Sequence, residues 1–310
     1  MELKRIRTLS CIALVLASTL VLARPGVQHM QRGLEEVLAV ERALVVGEDP
    51  GPPLRKAFDA NFGGVSDAAL GSLAEEDVRA YMSAADTVAF YTFDPLYLDR
   101  VEGAFRVLER RGRVTSFDVS NMYQGYVEFR RFDTAIALAA RHPGIEQEAL
   151  PTFHGLSGPA EGPTVMALQS DGSIQRVPAG LAPVGPQVIV TAHPLCHFSD
   201  AAVREIAQDP ELEALFTNRT LWLMPQDRRM NLDVVAEWNR QFPDYAMRWA
   251  YQTSDWPMIK RWATPNFYFY RDGKLVTTVI GWPPEGQRDA LISAFKEIGV
   301  ERGAPAQRSR

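Results

Sequence analysis

The amino-acid sequence predicts a helical region followed by an α/β region with a mixed sheet, and three observations predict it. Apolar residues recur at helical spacing from Val27 to about Arg141, with no alternating run of comparable length. From Thr164 onward, short β-branched and aromatic runs alternate with amphipathic stretches, the order expected where helices cover a sheet. A stretch dense in Gly, Pro and Ser, from Pro143 to Pro163, separates the two patterns, and 310 residues are enough for two domains.

At the N-terminus, Lys4, Arg5 and Arg7 precede an uncharged run from Thr8 to Ala23, and Val21-Leu22-Ala23 offers small residues at the positions a signal peptidase reads. Residues 1–23 therefore read as a signal peptide with a periplasmic destination. The run is shorter than the roughly 20 residues of an untilted spanning helix. An uncleaved anchor over residues 8–23 is the alternative, and the only route to membrane contact.

Residues 24–150 read as an all-α domain. Leu34, Val37, Leu38, Val40 and Leu44 mark its first helix, and Gly47–Pro53 and Gly63-Gly64 interrupt it. Pro95–Arg110 and Ser116–Arg130 are amphipathic, and Phe132–Arg141 follows as the partner of a helix hairpin that His142-Pro143-Gly144 ends. Tyr123, Tyr126, Phe132 and Ala135 resemble one degenerate tetratricopeptide unit. A self-standing array needs three or more, so these aromatics read as bundle core.

After a linker at 151–162, residues 163–300 form the α/β part, with 301–310 as a tail. Thr164–Leu168 and Ile174–Val177 flank Asp171-Gly172 and read as a β-hairpin. Val188-Ile189-Val190 is a buried strand, followed by a helix from about Ser199 to Ala207. Leu221–Met224 is the next strand and Leu232–Arg240 the next helix. Asn266–Tyr270, the Arg271–Lys274 turn and Leu275–Ile280 form a second hairpin, closed by a helix over Gly286–Ile298. Trp238, Trp249, Trp256 and Trp262 fall between the second buried strand and this hairpin. They read as core, with an aromatic recognition surface as the alternative.

The order of these elements resembles the thioredoxin fold, in particular its exported thiol-disulfide oxidoreductases, which add a leading hairpin. Three segments carry the resemblance: Val188–Ser199, a strand, turn, cysteine and helix start; Trp262-Ala263-Thr264-Pro265, similar to the family's cis-proline loop; and Asn266–Gly281, similar to its terminal hairpin. The resemblance covers about Pro163 to Val300. It implies that Cys196 is a nucleophile, with His197 and Ser199 at the helix start, and that Thr264 and Pro265 contact an extended substrate.

The chemistry of a thiol gives these positions a rationale. Disulfide exchange needs the thiolate, and an ordinary thiol with a pKa of about 8.5 is mostly protonated at neutral pH. A helix N-terminus stabilises the anion through unpaired N–H groups, and a protonated imidazole at His193 or His197 would add to it. Cys11 would leave with the signal segment, so the mature chain holds one cysteine, an odd count for an exported protein.

The departures from the family are as informative. Ser199 stands at the position of the resolving cysteine, where its other reading is a helix cap. Val190 stands where many relatives carry a buried acid, and Leu195 replaces the usual tryptophan. These changes fit a single-thiol protein that forms mixed disulfides. They fit equally a redox-inactive binding or assembly module. The implied partners are a thiol- or disulfide-containing protein or small thiol, and a redox partner protein.

Other classes are set aside. A net charge of −5 and a pI near 5.6, without a basic patch, exclude the electrostatic footprint of nucleic-acid binding. Hydrophobic and charged contents of 46% and 23% are those of a globular protein. Thr191 lies at the wrong spacing for the peroxidase pattern Pro-x-x-x-Thr-x-x-Cys. His193, Cys196 and His197 are three candidate ligands where a closed zinc site takes four, so no metal and no cofactor are expected.

Overall fold

The computed structural model describes residues 25–45, 48–155 and 162–300. The expected signal segment 1–23 and the tail 301–310 lie outside them, as does Cys11. Seven helices come first: α1 (Pro25–Arg42), α2 (Gly51–Phe62), α3 (Asp67–Leu70), α4 (Glu75–Thr92), α5 (Pro95–Arg110), α6 (Ser116–Glu128) and α7 (Phe132–Arg141). Local chemistry sets their ends. Pro52 and Pro53 open α2 where a missing N–H costs nothing. Asp94 caps α5, its carboxylate accepting the Leu96 N–H at 3.0 Å. At α6 the Thr115 hydroxyl accepts the Asp118 N–H, and the Asp118 carboxylate accepts the Thr115 N–H, a reciprocal capping box.

The helices bury an aromatic centre. Phe58 is fully buried, with the rings of Phe62, Tyr81 and Tyr97 at 5.1, 5.6 and 5.2 Å. Tyr123, Tyr126, Phe132 and Ala135 are all buried, so the large and small residues of the α6–α7 hairpin are core.

The remaining elements are β1 (Phe153–His154), β2 (Thr164–Leu168), β3 (Ile174–Pro178), β4 (Pro186–Thr191), α8 (His197–Gln208), α9 (Pro210–Phe216), β5 (Thr220–Met224), α10 (Leu232–Gln241), β6 (Met247–Ala250), β7 (Asn266–Arg271), β8 (Lys274–Ile280) and α11 (Arg288–Glu297). The strands form one mixed sheet in the order β1-β3-β2-β6-β5-β4-β7-β8. β4, β5 and β6 are parallel neighbours, while β7 runs antiparallel to β4 and β8 antiparallel to β7. Both expected hairpins form, β2–β3 and β7–β8.

Two strands and one α-helix go beyond the expected order, β1, β6 and α9, together with two short 3-10 turns at Pro243–Tyr245 and Thr253–Asp255. The four residues of β6, Met-Arg-Trp-Ala, carry no β-branched residue, and tertiary pairing places them between β5 and β2. β1 is two residues long and lies within the expected linker, where Phe153 stacks on Phe132 of α7 at 3.8 Å.

Strict alternation sorts the strands onto two faces. Val188, Val190, Trp222, Met224, Phe267 and Phe269 join α8–α11 and the first seven helices in one continuous core. Ile189, Leu221, Leu223, Tyr268 and Tyr270 point the other way. That second face is packed by Ala179, Leu181, Trp256, Met258, Ile259 and Trp262, from segments outside the α-helices. The tryptophans are therefore core: Trp222, Trp238, Trp249, Trp256 and Trp282 are buried, and Trp262 is half-buried.

Candidate functional site

β4 leaves the middle of the sheet at Thr191, and the chain reaches α8 through Ala192-His193-Pro194-Leu195-Cys196. Cys196 is the N-cap residue of α8, with φ −87° and ψ 112°. Its carbonyl accepts the Ser199 N–H at 2.9 Å and the Asp200 N–H at 3.0 Å. Cys196 thus opens the helix through its carbonyl, which places the sulfur at the first helical turn. Cys196 is partly buried and is the only free cysteine among the described residues.

The second wall of the site is the loop before β7. The Thr264–Pro265 peptide is cis, and Cys196 Sγ donates to the Thr264 carbonyl at 3.3 Å. This loop is anchored on both sides. Thr191 Oγ1 donates to the Ala263 carbonyl at 2.8 Å, Asn266 Nδ2 donates to the same carbonyl at 3.0 Å, and the Gly281 N–H donates to the Pro265 carbonyl at 2.9 Å. Pro265 is buried and Thr264 half-buried, so Thr264 is the more accessible of the two expected contact residues.

Burial pushes the Cys196 thiol up, but hydrogen bonds from Thr264, from the Ser199 N–H and hydroxyl and from the Phe198 N–H outweigh it, and the net direction is down. These influences come from the helix start and the proline loop rather than from either histidine. His197 is exposed, its ring against Phe198 at 3.8 Å. Ser199 is fully buried, and its hydroxyl accepts the His193 N–H at 3.3 Å. The serine therefore braces the turn as well as facing the sulfur. Val190 is fully buried in apolar surroundings, so the strand carries no acid beneath the sulfur.

His193 frames the turn on three sides. Its N–H reaches Ser199, its carbonyl accepts the Cys196 N–H at 2.9 Å, and its Nδ1 accepts the Leu195 N–H at 3.1 Å. With Nδ1 accepting, the ring proton is on Nε2, which faces Asp227 Oδ2 at 3.5 Å. That separation exceeds an ordinary N–H···O bond, and Nε2 has no other partner among the described residues.

Asp227, its side chain 39% exposed, lies at the edge of a largely buried charged cluster that sequence reading did not find. Arg228 reaches Asp86 of α4 at 2.9 Å, and Asn121 and Glu128 of α6 at 2.8 and 3.1 Å. Arg130 donates to the carbonyls of Ala250 and Tyr251 at 2.8 and 2.9 Å, and Gln226 donates to the Glu128 carbonyl. Burial raises the Glu128 carboxyl to about 7, against the pull of Arg228 and with repulsion from Asp86 and Asp227. Burial also lowers Arg130 to about 10, against Glu128 and Asp227. Burial works to raise Asp227, but His193, the Arg228 N–H and Arg130 more than offset it and hold it down. The signal available in sequence was the polar run Gln226-Asp227-Arg228-Arg229 directly after a buried strand.

A cavity of about 740 Å³, lined in part by Gly185, Arg219, Asp244 and Arg248, opens at the start of β4, β5 and β6. It shares no residue with the thiol site, which lies past the other end of β4. No group of three or more histidine, cysteine or acidic residues able to hold a metal occurs among the described residues. No helix among the described residues is long and apolar enough to cross a membrane. Comparison with protein-family models, with curated proteins and with solved structures finds no match to this chain.

Proposed function

We propose that residues 163–300 form a thioredoxin-like unit and that the protein carries out thiol-disulfide exchange through Cys196, after export to the periplasm. The observation that supports this best is the placement of the one free thiol among the described residues. Cys196 caps α8 with its sulfur 3.3 Å from the Thr264 carbonyl, in surroundings whose net effect favours the thiolate. Leu195 and Phe198, 63% and 44% exposed, flank it with apolar surface suited to a protein client.

In the reaction, the Cys196 thiolate attacks one sulfur of a client disulfide. The client S–S bond breaks, a Cys196–client disulfide forms, and the second client sulfur leaves as a thiolate. Ser199 offers no thiol for the next step. Release therefore needs a thiolate from outside the chain, a different cysteine of the client or a small thiol, which attacks the client sulfur of the mixed disulfide and returns Cys196 as a thiolate. With a third client cysteine as attacker, the client's disulfide is re-paired, an isomerisation without net electron transfer.

The test is capture of clients from a periplasmic extract, resolved on non-reducing gels. Wild-type protein is expected to yield adducts that a reductant releases and that Cys196→Ser lacks. Adducts of equal yield in both proteins, or none in either, would overturn exchange through Cys196. Export is tested separately, by fusing residues 1–23 to a reporter active only outside the cytoplasm.

A further inference from the structure

We infer that Asp227 and His193 form a positioning pair for Cys196. The Asp227 carboxylate, on a loop clamped to the helical layer, holds the His193 ring so that Nδ1 shapes the turn presenting the sulfur. This role rests on the reading of Cys196 as the nucleophile and assigns a function to the helices that precede the sheet.

The geometry carries the inference in three steps. The first is the turn itself, where one histidine supplies an N–H to the Ser199 hydroxyl, a carbonyl to the Cys196 N–H and a ring nitrogen to the Leu195 N–H. Rotation of that ring would orphan the Leu195 N–H and loosen the residue next to the sulfur. The second step is the ring's other nitrogen. The His193 side chain is only 14% exposed, and the one acceptor facing Nε2 among the described residues is Asp227 Oδ2, at 3.5 Å, on a side chain 39% exposed. A carboxylate on that side favours the Nε2–H tautomer, the form in which Nδ1 is free to accept.

The third step is the anchoring of Asp227. Its neighbours Gln226 and Arg228 bond to Glu128, and Arg228 also bonds to Asp86 and Asn121. Two residues on, the Met230 N–H donates to Glu148 Oε2 at 2.9 Å. The loop after β5 is therefore fastened to α4, to α6 and to the segment after α7. Arg130, from the α6–α7 junction, adds positive charge near Asp227. The path from the helices to the sulfur is Arg228, Asp227, His193 and the Leu195–Cys196 turn.

Two measurements test the pair. Long-range ¹H–¹⁵N NMR of the His193 ring in the full-length wild-type protein is expected to show the Nε2–H tautomer. A Nδ1–H tautomer would overturn the proposal, and this measurement needs no variant. The second is Cys196 alkylation by iodoacetamide across a pH series. His193→Ala, which removes the Leu195 N–H to Nδ1 bond, is expected to slow alkylation at neutral pH about fivefold, the effect of one neutral hydrogen bond, and Asp227→Ala, which leaves the ring free to turn, is expected to slow it measurably but by no more than that. His193→Asn, whose amide oxygen can take the Leu195 N–H, is expected to restore most of the rate.

In the His193→Ala background, Asp227→Ala is expected to add little, because the pair acts as one unit. Additive losses, or an Asp227→Ala profile that overlays wild type, would overturn the pairing. Asp227→Asn provides the same comparison if the alanine variant does not fold. Client capture is read separately. Its absence in wild-type protein would remove the exchange reaction, while the tautomer and alkylation profiles would still decide whether the pair positions the thiol.

Discussion

Replacing Glu128 by glutamine tests the charged cluster at its most buried carboxylate. Glu128 is 1% exposed, and one of its oxygens, Oε1, has no partner, while Oε2 meets Arg228 at 3.1 Å. Burial raises its carboxyl from 4.5 to about 7. Because the folded value lies above the unfolded one, the native state keeps a proton that the unfolded state releases between those two values. The stabilisation is full below the unfolded value and is lost as pH rises through about 7. At about 1.4 kcal/mol per pH unit, the loss amounts to roughly 3 kcal/mol by pH 8.

Glutamine keeps the shape and an oxygen for Arg228 but does not titrate. Urea unfolding of Glu128→Gln and wild type is therefore expected to converge near pH 4 and to separate by roughly 3 kcal/mol at pH 8, with glutamine the more stable. Other titrating groups cancel in the difference. A gap that does not change with pH, or a glutamine protein less stable at pH 8, would refute the assignment of Glu128 as a buried acid that holds its proton.

Three further outcomes follow from named contacts. Thr264→Val removes a hydroxyl that favours the Cys196 thiolate, so the midpoint of its pH-dependent alkylation should rise and the neutral-pH rate fall several-fold. Ser199→Cys places a second thiol beside Cys196, and trapped mixed disulfides should become short-lived on non-reducing gels as the new thiol releases the client. Phe58→Ala leaves a cavity among Phe62, Tyr81 and Tyr97, and should cost about 3 to 5 kcal/mol in urea unfolding while client capture by the folded protein is unchanged.

Much of the architecture was legible because local signals and tertiary structure agree. The hairpin at Asp171-Gly172, the buried strand at Val188–Val190, the helix after Cys196 and the closing hairpin form where turn chemistry and apolar runs place them. Helix 197–208 begins two residues earlier than its apolar period indicated, because the first turn is held by backbone bonds to the Cys196 carbonyl. β6 was not legible, since its strand state depends on lying between β5 and β2 and not on its own residues. Arg130, at a φ of 59°, ends α6 in a left-handed conformation that a long charged side chain gives no cause to expect.

The candidate site divides the same way. Sequence by itself determined that one cysteine follows an apolar run read as a buried strand and precedes an amphipathic helix, that Ser199 lies three residues after it, and that a Thr-Pro pair precedes a late strand. All three follow from residue order along the chain. Only the tertiary structure decided what surrounds the sulfur: the Thr264 carbonyl, from a loop 68 residues away, and a histidine that braces the turn rather than charging the thiol. It also decided that Asp86, Asn121 and Glu128 converge on Arg228 from helices 100 or more residues upstream. Such contacts leave no local pattern, because a buried charge is stabilised by whatever opposite charge the fold brings within reach, and sequence distance does not enter that energy.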